Sequence, residues 1–363
     1  MLTFPPAPDS RYAFRMDRRG TLARDLGLLV VVFVATFVLL LGLSRGLNDG
    51  GPGGSAATSP DTSASGVAVS PSGSTASESP PGESPSASAS TAGPSPASGD
   101  PVLVGAGDIG DCGTDGDEAT ASLIEGIDGT VFAAGDNAYP NGSSKNYEEC
   151  YDPTWGQFKD RTKPVPGNHE YETAKAAGYR DYFGAAAVNA DDDTWYSFDL
   201  GTWHVVMLDS ACSKVGGCKK DDPQGRWLAD DLAASRAACT LAIWHEPRFS
   251  SGFHGNDRTV GPFWDLLYDA GADVIVNGHD HDYERFAPQD PDANEDRERG
   301  IREFVVGTGG TTLRRFEDTA ENSELRATVS HGVLKLALHP TSYDWEFVPT
   351  EGPFSDSGTG PCH

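Results

Sequence analysis

Thr130-Val131-Phe132-Ala133-Ala134-Gly135-Asp136-Asn137-Ala138-Tyr139 is a short apolar run, cut by a glycine and followed at once by a carboxylate, an amide and a phenol. β-Branched and aromatic residues favour an extended chain, and a continuous apolar stretch of this length reads as a strand buried on both faces. The polar group therefore arrives where the strand ends. Four more runs have the same form. Val102–Ala106 leads into Gly107-Asp108-Ile109-Gly110, and Lys163–Pro166 into Gly167-Asn168-His169-Glu170. Leu241–Trp244 leads into His245-Glu246-Pro247, and Asp273–Asn277 into Gly278-His279-Asp280-His281.

The spacing says how these ends meet. Asp108 and Asp136 are 28 residues apart, and Asp136 and Asn168 are 32 apart. Each interval is about one strand–helix–strand unit of roughly 30 residues. Helical patterns over 117–126, 172–183, 223–235 and 259–270 alternate with strand-like runs, which also include His204–Leu208 and Phe304–Val306. This alternation predicts an α/β domain, closed by a hairpin of His331–Leu338 and Tyr343–Val348. Ligands in such sheets bind outside the carboxyl ends of the strands. The polar groups are thus expected side by side on one edge, with the preceding glycines permitting a sharp turn off each strand.

Two carboxylates, an amide, a phenol and several imidazoles gathered on one edge suit hard-to-borderline cations such as iron(III), zinc or manganese. Two cations about 3.5–4 Å apart need a bridging ligand, and a carboxylate can bridge. Single motifs carry little weight here. Asp108 alone reads better as a helix cap, and Tyr139 alone as a core tyrosine. It is five motifs in this order, each after a strand, that point to a metal site.

The motifs resemble the signature of the calcineurin-like metallophosphoesterases. Tyr139, three residues after Asp136, and the run Gly278-His279-Asp280-His281-Asp282-Tyr283-Glu284-Arg285 narrow the resemblance to the purple acid phosphatases. It covers roughly residues 101–350. It implies a metallophosphoesterase β-sandwich flanked by helices, in four layers α-β-β-α. By position, Asp108, Tyr139 and His281 would bind iron(III), Asn168, His245 and His279 a divalent ion (zinc, manganese or iron), and Asp136 would bridge. His169 and His254 match the histidines that contact phosphate and protonate the leaving group, and Glu170 would orient His169. The implied reaction is hydrolysis of small-molecule phosphate esters, phosphomonoesters first, by a water whose pKa the ions lower. A phosphodiesterase or nucleotidase of the same fold is the rival enzyme. A non-catalytic surface module would have shed ligands, and all seven are present. Plant members carry an N-terminal β-sandwich domain, whose place is taken here by a Ser/Pro-rich stretch. The glycine-rich Gly307-Thr308-Gly309-Gly310 resembles a loop near family active sites.

Composition divides the chain. Residues 1–25 are basic, and 26–43 are an uncharged apolar run of 18 residues, Leu26 to Leu43. As a helix that run spans about 27 Å, close to the hydrocarbon thickness of a bilayer. Arg11, Arg15, Arg18, Arg19 and Arg24 precede it and Arg45 follows, so a transmembrane signal anchor with its N-terminus inside is expected. A cleaved signal peptide, with a secreted product, is the rival, and Arg18-Arg19 matches a twin-arginine signal poorly. Residues 44–100 are rich in Ser, Pro and Ala and should form a disordered stalk. Residues 101–363 hold the core-forming content and are expected to be one catalytic domain outside the cytoplasm. That domain carries 21 basic and 46 acidic residues, and this net of −25, like the −27 of the whole chain, disfavours nucleic acid as a partner.

All six cysteines lie after residue 101. Their even number, outside the cytosol, suggests three disulfides. Five residues and a Gly216-Gly217 turn favour Cys212–Cys218, neighbouring loops favour Cys112–Cys150, and Cys239–Cys362 follows by elimination. His204 and His339 lie in strand patterns without a motif and read as structural. His331 begins a strand from which it could approach the site, though nothing in the sequence supports this, and the terminal His363 is unassigned. Asp191-Asp192-Asp193 reads as a solvated loop before it reads as a calcium site, and Trp195, Trp203 and Trp227 as core.

Overall fold

The computed structural model describes residues 99–363. The expected basic segment, membrane anchor and nearly all of the stalk lie outside the described residues. Among the described residues no helix is long and apolar enough to cross a membrane.

Two mixed sheets form the domain. The chain order is β1 Val102–Ala106, α1 Gly116–Glu125, β2 Thr130–Ala134, β3 Thr162–Val165, α2 Ala177–Phe183, β4 Tyr196–Leu200, β5 Trp203–Met207 and α3 Pro223–Ala234. It continues with β6 Cys239–Ile243, α4 Gly261–Asp269, β7 Val274–Asn277, β8 Tyr283–Phe286 and β9 Arg302–Val306. The chain closes with β10 Ser323–Ala327, β11 Gly332–His339, β12 Ser342–Pro349 and β13 Asp356–Pro361. The first sheet runs β13-β12-β11-β1-β2-β3 and the second β10-β8-β9-β7-β6-β5-β4. Pairing is parallel for β1-β2-β3 and for β5-β6-β7-β9, the strands linked by crossovers, and antiparallel elsewhere.

Strand alternation explains the layering. Trp203, Val205 and Met207 of β5, Leu241 and Ile243 of β6, and Val274 and Val276 of β7 pack with Leu103, Phe132, Leu334 and Leu336, which share one face of the first sheet. The intervening Val206, Ala242 and Ile275 face the other way, onto Leu228 of α3 and Phe263, Trp264 and Leu267 of α4. A side-chain period of two thus sends one set into the sandwich and the other under the helices. On the first sheet, Ala121 and Ile124 of α1 join the core. This is the expected β-sandwich with helices outside it.

The predicted β1 and β2 coincide with the observed ones, and the ends of the other predicted strands shift by at most two residues. β4, β8, β10 and β13 were not expected. β13, Asp-Ser-Gly-Thr-Gly-Pro, has no strand-like pattern and is held by backbone pairing with β12. The predicted helix over 172–183 is shorter, because Lys175 and Ala176 take positive φ and interrupt it. Residues 144–161 coil through short helical turns around a cluster of Tyr147, Tyr151, Tyr182 and Phe183. All three disulfides pair as expected, with Cα atoms 5.0, 5.1 and 5.5 Å apart. Trp195 and Trp203 are buried, whereas Trp227 packs half-exposed on α3. His204 lies between Asp231 and Asp199, His339 between Asp100 and Asp344, and His363 against Asp273. Asp191 and Asp192 are exposed.

Candidate metal centre

The polar strand ends come from both sheets. Asp108, Asp136, Tyr139, Asn168 and His169 follow β1, β2 and β3 of the first, while His245, His254, His279 and His281 follow β6 and β7 of the second. The expectation of a single sheet edge is therefore corrected: the strand ends of the two sheets face one another. Backbone bonds sew them together, with Gly107 N donating to Val306 O at 2.9 Å and His279 N to the Asp108 carboxylate at 2.7 Å.

The turns off the strands differ from expectation too. Asp108, Asp136 and His279 themselves take positive φ, at 60, 47 and 72°. Non-glycine residues rarely hold this conformation, at a cost of about 1–3 kcal/mol each, and they do so mostly at functional sites. Of the preceding glycines, Gly135 uses its conformational freedom (φ 84°). Gly167 and Gly278 are needed for room, since a Cβ there would lie 2.3 Å from Asp136 Oδ1 and 2.7 Å from Asp108 Oδ2.

The donor atoms converge. Tyr139 Oη lies 2.8 Å from Asp108 Oδ1, 3.1 Å from Asp136 Oδ2 and 3.3 Å from His281 Nε2. His245 Nε2 lies 3.2 Å from Asp136 Oδ2, from Asn168 Oδ1 and from His279 Nδ1. Asp136 is common to both groups. Ligands about 2.0–2.2 Å from one cation sit roughly 3 Å from each other, the spacing seen here. Two rings are fixed from behind. His245 Nδ1 meets Ala134 O and His281 Nδ1 meets Thr312 O, each at 2.9 Å. A carbonyl only accepts, so Nδ1 carries the hydrogen in both rings and Nε2 is the nitrogen presented to the site.

The electrostatics favour added positive charge. Burial opposes ionisation of Asp136, but the facing His245 and His169 outweigh it and hold the carboxyl below the ordinary range. Asp108 is likewise lowered against its burial, through His281 and His245. Burial, with the two carboxylates, pushes the Tyr139 phenol well above its ordinary value. Burial and the neighbouring His245 and His254 drive His279 down to about 3. Two ionised carboxylates, imidazole nitrogens aimed at one another and a phenol between them form a donor set that fits two cations.

The two remaining histidines line the solvent side. His169 N donates to Asp136 Oδ1 at 2.8 Å, and its ring nitrogen Nδ1 lies 2.5 Å from Pro140 O. Glu170 does not orient His169. It is fully buried and accepts from the backbone N–H groups of Gly167 and Asn137 at 2.7 and 2.9 Å, bracing the β2 and β3 turns against each other. The expected contact is absent because the Glu170 carboxylate is taken up by buried donors, Gly167 N, Asn137 N and the Tyr147 hydroxyl. The His254 ring lies over that of His279, with centroids 4.2 Å apart. Its loop is pinned by Asp280, which accepts from His254 N at 2.7 Å and Gly255 N at 3.2 Å.

The sequence reading missed Arg314, whose Nη1 lies 2.7 Å from His254 Nε2. The Gly307–Gly310 loop was the signal that leads to it. Gly309 N donates to Gly107 O and Thr311 N to Asp108 O, at 2.9 and 3.0 Å, and Arg314 N then donates to His281 O at 2.9 Å. His331 reaches the same segment, with Nε2 2.9 Å from Thr311 O.

A family model described as calcineurin-like phosphoesterase matches residues 102–283, half of the chain. Purple acid phosphatase 15 of Arabidopsis thaliana is 30% identical over 204 residues, 46% of this chain and 38% of the relative. Purple acid phosphatase 21 of the same plant is 27% identical over 274 residues, 66% of this chain and 57% of the relative. The chain thus spans about two to three fifths of the length of these relatives. Among solved structures, a purple acid phosphatase from yellow lupin seeds superposes with a TM-score of 0.56 at 20% identity, covering 71% of this chain and 53% of its own. GAP50 of Plasmodium superposes with a TM-score of 0.55 at 16% identity, covering 72% and 89%. These two likenesses are of fold.

Proposed function

The chain belongs to the calcineurin-like phosphoesterase family, and from that premise we propose that it hydrolyses phosphate monoesters at a two-metal site of the purple acid phosphatase type. The observation that carries this reading is the pair of donor groups that share Asp136. Asp108, Tyr139 and His281 would hold iron(III), and Asn168, His245 and His279 a divalent ion, with Asp136 serving both. Bound there, the cations supply Lewis acidity toward phosphoryl oxygens and a nucleophile near neutral or acidic pH.

The protein's own groups do the rest. His169 and His254 stand on the solvent side of the donor cluster, where a phosphate ester would approach. His169, held at its ring by Pro140 O and at its backbone N–H by Asp136, is placed to contact the phosphoryl oxygens. His254, on the loop that Asp280 pins, passes a proton to the leaving-group oxygen. The strained turns at Asp108, Asp136 and His279 fix the side chains of those three residues before substrate arrives.

The test is side-by-side turnover of a phosphomonoester and a matched diester by the metal-loaded domain, with metal analysis on the same sample. Two metal ions per chain and preferred turnover of the monoester are expected. Preference for the diester would overturn the monoester assignment, and metal-free active protein would overturn the mechanism. We further place the domain outside the cytoplasm, anchored by residues 26–43. Three disulfides among the described residues support an oxidising compartment. Protease added to intact cells should release soluble activity, and activity shielded inside the cells would reverse the orientation.

A further inference from the structure

Arg314 occupies a position that the reaction as described does not use. It sits on the solvent side of the metal centre, half-buried, in a domain whose net charge is −25. Its side-chain contacts are an imidazole and an aromatic ring. Nη1 lies 2.7 Å from His254 Nε2, and the guanidinium carbon lies 5.3 Å from the centre of the Phe253 ring. Neither partner is an acid, so the positive charge is not neutralised by the contacts that hold it. A guanidinium offers five N–H donors in a planar fork and accepts nothing. The bond to His254 uses one donor and leaves others for an oxyanion.

Its placement is built in. The backbone of Arg314 donates to His281 O, and the segment before it is tied to Gly107 and Asp108. A Cβ at Gly307, Gly309 or Gly310 would lie 2.1, 2.4 or 2.2 Å from a backbone oxygen of Asp280, Gly107 or Ile109. The glycines therefore let this segment lie flat against the turns that carry the metal-site residues. The arginine shares their frame rather than waving on a free loop. Phe253, 57% exposed, walls it on the solvent side.

We propose that Arg314 binds the phosphoryl group of the substrate directly and is the residue by which the site favours monoester dianions over diester monoanions. This rests on the phosphoesterase reading above. A monoester presents three terminal oxygens and two negative charges, a diester two oxygens and one charge. A guanidinium beside His254, the residue next to the leaving group, meets the extra oxygen and the extra charge together. With substrate bound, the fork exchanges its bond to His254 Nε2 for bonds to phosphate.

The experiment uses the metal-loaded protein as wild type, Arg314→Ala and Arg314→Lys. Orthophosphate binding is measured by calorimetry, and kcat/KM is measured for an aryl phosphomonoester and the matching diester. Loss of one charge-assisted contact predicts orthophosphate binding weaker by about 10- to 100-fold in Arg314→Ala. The monoester-to-diester ratio of kcat/KM should fall by a similar factor, and Arg314→Lys should recover part of both, since it keeps the charge and loses the fork. Unchanged phosphate affinity and an unchanged ratio would overturn the proposal. So would loss of metal from Arg314→Ala, which would give the residue a structural role behind His281. The calorimetric arm needs no turnover. If wild type hydrolyses neither ester, the phosphoesterase reading fails while the role of Arg314 in anion binding is still decided.

Discussion

Tyr139 is the side chain on which the resemblance to the purple acid phosphatases, within the wider family, rests, and its surroundings make a sharp expectation. Its hydroxyl is buried between Asp108 and Asp136, and burial with those two charges holds the phenol protonated far beyond its ordinary range. Only a strongly Lewis-acidic cation would ionise it there. A phenolate on iron(III) transfers charge in visible light, so purified protein is expected to be coloured. Tyr139→Phe should lose that absorption while the fold survives, because one oxygen is removed at a cost of about 1–3 kcal/mol. Colourless wild type carrying two zinc ions would sink the iron assignment and leave the two-metal reading. Asp136 and His254 should separate under the same assays. Asp136→Asn should lower metal content at both positions and abolish turnover. His254→Ala should keep its metal and lose about 100-fold in rate, the scale of lost proton-transfer help. Metal loss from His254→Ala would move that residue among the ligands.

At the scale of elements, a histidine away from the centre offers a measurable pH dependence. His204 of β5 lies 2.8 Å from Asp231 of α3 and 3.2 Å from Asp199 of β4, tying helix and edge strand to the sheet. The bond to Asp231 raises its pKa above the ordinary value, against a smaller opposing effect of burial. The sign follows from linkage. A raised folded-state pKa stabilises fully below the unfolded value of about 6.5, and the gain is lost as pH climbs through the folded value. Thermal unfolding of wild type and His204→Gln should therefore differ most below about pH 6.5 and converge as the solution becomes alkaline. A gap that stays constant, or widens with pH, would show that the imidazole is not held charged.

For the whole molecule, the closing device is the third disulfide. Cys239 begins β6 in the seven-stranded sheet, and Cys362 follows β13, the edge of the six-stranded sheet. The bond ties the two layers across 123 residues of chain. Removing such a crosslink frees a long loop in the unfolded state and typically costs about 2–5 kcal/mol. Cys239→Ser with Cys362→Ser should lower the midpoint of thermal unfolding accordingly. Because the bond lies near the amino end of β6 and the candidate metal ligand His245 lies beyond its carboxyl end, metal content at moderate temperature should persist. Loss of metal before unfolding would mean that sheet–sheet registry at the centre depends on this tie.

How much was legible follows the range of the forces involved. Val102–Ala106 and Thr130–Ala134 could be read as strands because an apolar run bounded by glycine is a local pattern, and Asp108, Asp136, Asn168, His245 and His279 because each stands next to such a run. Cys212–Cys218 could be read because six residues can close a loop by themselves. β13 could not, since Asp-Ser-Gly-Thr-Gly-Pro becomes a strand only when β12 offers it a backbone edge. Nor could the facing of two sheets, the positive φ of Asp108, Asp136 and His279, the bracing by Glu170, or the arrival of Arg314 beside His254, which lies 60 residues away in sequence. Local propensity and periodicity determine which segments are strands and which polar residues stand at their ends. Which ends meet, and at what distance, is decided by close packing between segments far apart in the chain, where glycines at 167, 278 and 309 leave no room for a Cβ.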